Sequence, residues 1–127
     1  AGDRRPRAGA VLTPDLTTHR GKSRLFLIFT PSPTHEPYTN QRHLLQDQEA
    51  AFEDRDLLKL DFLGDTPAGD AARRQFGIEG ETFTVVLVGK DGGEKFRSAE
   101  PIRPRDLFDR IDAMPMRRRE IRERDAG

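Results

Sequence analysis

The sequence predicts an α/β fold: a mixed four-stranded sheet with helices on both faces. Three observations carry that expectation. Residues 25–29 and 83–88 are short, almost unbroken apolar runs, the pattern of strands buried on both sides. Residues 56–65 and 94–98 alternate apolar and polar side chains, the pattern of strands with one wet face. Helical spacing of apolar residues fills the intervals before, between and after them.

Residues 1–23 are rich in Arg, Gly and Pro, with apolar side chains only around Val11, Leu12 and Leu16. They are expected to form a basic, mobile arm with at most one short docked piece. The first strand, Arg24-Leu-Phe-Leu-Ile-Phe-Thr30, ends at Pro31. The following Pro31-Ser-Pro-Thr34 must leave the sheet, because proline donates nothing to a ladder. A helix starts near Glu36-Pro37, where proline suits the first turn, and carries Leu44, Leu45, Ala51 and Phe52 on one face. In the next strand Leu58, Leu60 and Phe62 alternate with Lys59 and Asp61. Thr66 caps a helix with Pro67 at its first position; that helix passes Ala71, Ala72 and Phe76 and stops at Gly77. Residues 83–88 form the second central strand, Asp91-Gly92 is a hairpin turn, and residues 94–98 return along an edge. Pro104 opens a helix that buries Leu107, Phe108, Ile111 and Met114, and Pro115 kinks or restarts it.

The resulting order, β-α-β-α-β-β-α with two parallel crossovers followed by an antiparallel hairpin, is that of a thioredoxin-like core. Right-handed crossovers put the residue 56–65 strand on one side of the first strand and the residue 83–88 strand on the other. The continuous runs are then central and the alternating ones lie at the edges. The domain is expected over residues 24–124, with residues 125–127 as a tail.

At 127 residues the chain makes one domain with one modest core. It contains no cysteine, which removes disulfides, thiolate zinc sites and thiol catalysis together. No apolar run approaches the roughly 18 residues of a membrane-spanning helix. A first residue of alanine fits either a mature form that has lost a signal peptide or a trimmed chain. The net charge is zero, but it is unevenly spread: residues 1–24 carry six Lys/Arg against two Asp/Glu, and residues 103–127 carry eight against six. Residues 25–102 carry eight against fourteen. Basic ends around an acidic middle describe either a solvated surface or a surface that meets a polyanion.

Five segments together resemble the domain of unknown function 4174 family, which is thioredoxin-like. They are Arg24-Leu-Phe-Leu-Ile-Phe, Glu53-Asp-Arg-Asp-Leu, Gln75-Phe-Gly-Ile, Gly89-Lys-Asp-Gly-Gly with Lys95, and Ile111-Asp-Ala-Met-Pro-Met-Arg-Arg. Related domains occur in small bacterial proteins with export signals and in animal extracellular-matrix proteins, including sushi-repeat-containing proteins. The resemblance implies a secreted or periplasmic binding module and supplies no reaction and no cofactor.

Redox members of this fold place their cysteines just past the first core strand, where this chain has Ser32, Pro33, Thr34 and His35. They place a cis-proline before the third strand, where this chain has Phe83 or Thr84. An enzyme related to peroxiredoxins would have to work through Thr34, His35 and Thr84, with no group in the sequence to orient the histidine. The same end of the sheet could form a binding cleft lined by Ser32, Thr34, His35, Tyr38 and Thr84. His19, His35 and His43 match no metal-ligand spacing, and residues 64–69 have phosphate-loop glycine spacing but are followed by Asp70, which repels phosphate. The candidate contact surface is basic: Arg117, Arg118, Arg119 and Arg122, with Lys90 and Lys95 at the base of the hairpin. These side chains either bridge to the acidic body or attract an acidic polysaccharide or protein. Nucleic acid is a poorer fit, because one Tyr and no Trp leave little to stack on bases. Self-pairing of the residue 94–98 edge is the remaining mode of assembly.

Overall fold

The computed structural model describes residues 16–64, 66–79 and 82–126. The sheet has four strands, β1 (Arg24–Thr30), β2 (Leu57–Leu63), β3 (Thr84–Val88) and β4 (Glu94–Ser98), in the order β2-β1-β3-β4. Among the described residues five α-helices accompany it: α1 (Glu36–Leu44), α2 (Glu49–Asp54), α3 (Pro67–Phe76), α4 (Pro104–Asp112) and α5 (Pro115–Ala126). Every residue of β1 and β3 is buried, as the unbroken apolar runs require, and both strands are central. The alternating strands β2 and β4 are the edges.

The pleat of β1 divides the core in two. Phe26 and Ile28 join Val85 and Leu87 beneath α1, α2 and α4, where Tyr38, Leu45, Leu107 and Ile111 close the layer. Leu25, Leu27 and Phe29 face the other way with Val86 and Val88, against Ala72 of α3 and Ile78. Phe29 stacks on Phe62 with ring centroids 5.2 Å apart. Of the residues expected to form an arm, 1–15 lie outside the described residues. Leu16–His19 forms a 3-10 turn whose Leu16 packs on the α3 side of the sheet, and the Gly21 N–H donates to the Lys90 carbonyl at 2.7 Å.

Two expectations need correction. First, β3 runs antiparallel to β1, with Phe29 opposite Thr84 and Leu25 opposite Val88, so only the β1–β2 crossover is parallel. Gly77, at φ 64°, turns the chain out of α3, and β3 begins at Thr84 at the end of the sheet where β1 finishes. Second, the single helix expected through Phe52 is broken. Asp47 adopts a left-handed φ of 63°, reversing the chain between α1 and α2 and leaving Leu44 36% exposed. Aspartate enters that region more easily than most residues, so no glycine marks the break.

Gln41 on α1 is fully buried and reads the backbone of the segment before α4: its Nε2 donates to the Ile102 carbonyl at 3.0 Å and its Oε1 accepts from the Ile102 N–H at 2.8 Å. At the start of α3 the Thr66 hydroxyl accepts from the Gly69 N–H at 3.0 Å. A Cβ on Gly69 would stand 1.9 Å from the Leu63 carbonyl oxygen, so the helix meets the end of β2 through a residue with no side chain. Helix propensity alone favours Gly69→Ala by up to about 1 kcal/mol. The clash reverses the sign: Gly69→Ala should destabilise by about 2 kcal/mol or more, read as a lowered midpoint in urea unfolding.

Candidate functional site

The end of the sheet where β1 finishes holds hydroxyls, an imidazole and a phenol. Thr30 Oγ1 donates to the Ser32 carbonyl at 2.9 Å and so turns the chain out of β1. The Ser32 and Thr34 hydroxyls lie 3.4 Å apart. Among the described residues the His35 ring bonds to neither of them, and His35 precedes α1 without a side-chain cap. The antiparallel sense of β3 is what brings Thr84 to this end, opposite Phe29. Thr84 and Tyr38 are buried, Ser32 and His35 half-buried and Thr34 exposed. The five residues thus share one end of the sheet, with two of them closed off from solvent.

Tyr38 donates its hydroxyl to Asp61 Oδ2 on β2, and Lys59 Nζ approaches the same carboxylate at 2.9 and 3.1 Å. Burial, then the hydrogen bond and charge of Asp61, push the Tyr38 phenol up to about 12. A phenol held in that way is a poor proton donor at neutral pH.

The opposite end of the sheet gathers far more charge. The Arg24 side chain is completely buried; its guanidinium donates to Glu120 Oε1 and Oε2 at 3.2 and 3.1 Å and to the Arg55 carbonyl at 2.8 Å. Lys90 Nζ bridges Glu120 and Asp56 at 2.8 and 2.7 Å. Arg117 donates to Asp54 Oδ2 at 2.7 Å and to Asp112 Oδ1 at 3.1 Å, while Arg55 reaches Asp112 at 2.9 Å and lies 4.4 Å over the Phe108 ring. Arg124 closes on Asp54 at 2.5 Å. Five cations and four carboxylates therefore tie α5 to the first residue of β1, the α2–β2 junction, the β3–β4 hairpin and the end of α4.

The electrostatics follow from this pairing. Hydrogen bonding to Arg117 holds the Asp54 carboxyl below the usual aspartate range. Partial burial alone would raise Asp112 and Glu120, but the bonds from Arg55 and Arg117, and from Lys90 and Arg24, outweigh it and leave both lowered. Burial likewise opposes the charge on Lys90, and its two carboxylate partners reverse that, leaving it raised.

Of the basic residues singled out in the sequence, Arg117 and Lys90 are taken up in this network, and Lys95 pairs with Asp91 at 2.7 Å. Arg118, Arg119 and Arg122 are exposed on the outer side of α5. Sequence reasoning missed Arg24, Arg55, Asp54, Asp112 and Glu120 as one unit. Their signal was present, since an arginine opening a fully buried strand demands a carboxylate. A groove of about 310 Å³ borders the network between the hairpin and the start of α5, with Lys95, Met114 and Met116 on its walls.

Two outcomes are expected at these sites. Tyr38 is the sole tyrosine and the chain has no tryptophan, so ultraviolet titration reads it alone; its midpoint should lie near 12 and fall in Asp61→Asn while staying above the ordinary value of 10.0, because burial remains. Glu120→Gln leaves Arg24 without its charge partner and should cost about 3 kcal/mol at neutral pH. Because the Glu120 value is lowered on folding, its contribution is fully present above the ordinary 4.5 and is lost as pH falls through the folded value. The stability gap between wild type and variant should therefore shrink in acid unfolding curves.

Comparison with known proteins comes to the same architecture. The chain is 25% identical to the sushi repeat-containing protein SRPX2 of Homo sapiens, an alignment covering 81% of this chain and 25% of that protein. It is 26% identical to SRPX2 of Xenopus laevis, covering 79% of this chain and 25% of that protein. The chain thus spans about a quarter of the length of the curated relatives it matches. Among solved structures, reduced 2-Cys peroxiredoxin from Plasmodium vivax superposes with a TM-score of 0.65 at 14% sequence identity, covering 82% of this chain and 84% of that one, a likeness of fold. The model described as "Domain of unknown function (DUF4174)" matches residues 15–120, and the chain belongs to that family.

Proposed function

We propose that this cysteine-free member of the DUF4174 family is a non-enzymatic, exported binding module that meets an acidic polysaccharide or an acidic protein face through the outer side of α5. The observation that carries this reading is the division of labour among the arginines of that helix. Arg117 and Arg124 are spent on Asp54 and Asp112. Arg118, Arg119 and Arg122 are exposed, and the same ion pairs that anchor the helix present these three outward on a fixed frame. Guanidinium groups suit sulfate and carboxylate because their paired donors match both oxygens. Export rests on the family resemblance and on the SRPX2 alignments. No helix among the described residues is long and apolar enough to cross a membrane.

The enzyme reading would need Thr34, His35 and Thr84 to converge on a substrate. Thr84 is buried and Thr34 lies on the surface, with no hydrogen bond linking either to the His35 ring among the described residues. The binding reading is therefore the better supported.

Heparin and polyglutamate are the probes to use. The protein should bind one or both at low salt, with affinity falling steeply as salt rises. The triple variant Arg118→Ala/Arg119→Ala/Arg122→Ala should bind about tenfold or more weakly with unchanged unfolding temperature. Equal binding by the variant, or no binding by the wild type at low salt, would remove the proposal.

A further inference from the structure

The outer edge of β2 carries a self-complementary pattern. The Asp56 carbonyl accepts from the Arg24 N–H, and the Gly64 N–H donates to the Thr30 carbonyl. In a parallel ladder alternate residues turn both main-chain groups to the same side. The even-numbered residues of β2 therefore address β1, and Leu57, Lys59, Asp61 and Leu63 present theirs outward. Among the described residues no strand occupies that side. On the α3 face of the same strand Leu58 is 41% exposed.

An antiparallel pairing of this edge with itself must match outward residues with outward residues. Three central registers satisfy that rule. Pairing about Lys59 sets Lys59 on Lys59, and pairing about Asp61 sets Asp61 on Asp61. Pairing about Leu60 sets Lys59 on Asp61 twice, Leu57 on Leu63 twice, Leu58 on Phe62 twice and Leu60 on itself. Cross-strand pairs of opposite charge and of apolar side chains are the stabilising kind, and like charges directly opposite are destabilising. The charges thus block two registers and favour the one that also aligns the apolar residues on both faces. Within one copy Asp61 accepts from the Tyr38 hydroxyl and pairs with Lys59 at 2.9 Å, and the seam replaces that one pair per copy by cross-strand pairs between copies. A groove of about 400 Å³ beside the strand, walled by Leu45, Phe52 and Leu57, gives Leu63 of a second copy an apolar seat. The other edge lacks this property: self-pairing of β4 about Phe96 brings Lys95 against Arg97.

We propose that β2 pairs with β2 of a second copy of this chain, antiparallel and centred on Leu60, joining the two sheets into one. The contact is two short strands and their flanking side chains, so the dimer is weak and concentration-dependent.

Sedimentation of the full chain over a range of concentrations, with Lys59→Asp and Asp61→Lys tested singly and mixed, is decisive. Wild type should dimerise. Each variant alone sets like charges across the seam and should raise the dissociation constant roughly tenfold or more. A mixture of the two restores opposite charges at both sites and should dimerise as wild type does, with thermal unfolding confirming that each variant is folded. Wild type that stays monomeric at the highest concentration overturns the proposal. So do a Lys59→Asp variant that dimerises undiminished, and a mixture of folded variants that fails to recover.

Discussion

Arg24 begins the most deeply buried strand of the sheet with a guanidinium that has no contact with water. An isolated charge in that position would cost several kcal/mol, so the fold is obliged to bring it carboxylate and carbonyl oxygen. Glu120 supplies the first and Arg55 the second. Once Glu120 is there, Lys90 can be drawn in from the hairpin, and the helix that bears Glu120 is placed in register for Arg117 and Arg124 to reach Asp54. Segments that are remote in sequence thus meet at one end of the sheet because one charge there must be answered.

This organisation separates two tasks. The core strands and α3 depend on shape: buried aliphatics, the Phe29–Phe62 stack and the side-chain-free contact of Gly69 with Leu63. The end where β1 finishes is held by Tyr38–Asp61 and by hydroxyl contacts of Thr30, Ser32 and Thr34. The electrostatic work lies at the other end of the sheet. Four of the five segments that carry the family resemblance contribute a charged residue there: Arg24, then Asp54 with Arg55 and Asp56, then Lys90, then Asp112 with Arg117.

Much of this was legible in the residues. Burial on both faces leaves an unbroken apolar run, so the identity of the central strands and the position of the edges could be read directly. Thr66-Pro67 and Gly77 marked the ends of α3 because caps act locally. The direction of β3 could not be read, since a strand buried on both sides has the same side-chain pattern either way. The break at Asp47 escaped because aspartate enters the left-handed region without the glycine that usually announces it. The ion network escaped for a different reason: Arg24 and Glu120 are 96 residues apart, and only the fold makes them neighbours. Thr84 lies beside Ser32 and His35 because β3 is antiparallel; two parallel crossovers would have sent it to the other end of the sheet.

The only fully buried residue of α5 is an arginine, Arg117. A helix attached in this way answers to its solution differently from the rest of the molecule. Dissolved ions shield charge over about 10 Å at 0.1 M, whereas they leave aliphatic packing almost untouched. Heating, in turn, lowers the penalty for stripping water from ions while the gain from apolar contact levels off. The amide protons of α5 are therefore expected to exchange more readily as salt rises, through its exposed Arg124–Asp54 pair first, while those of β1 and β3 wait for the whole sheet to come apart.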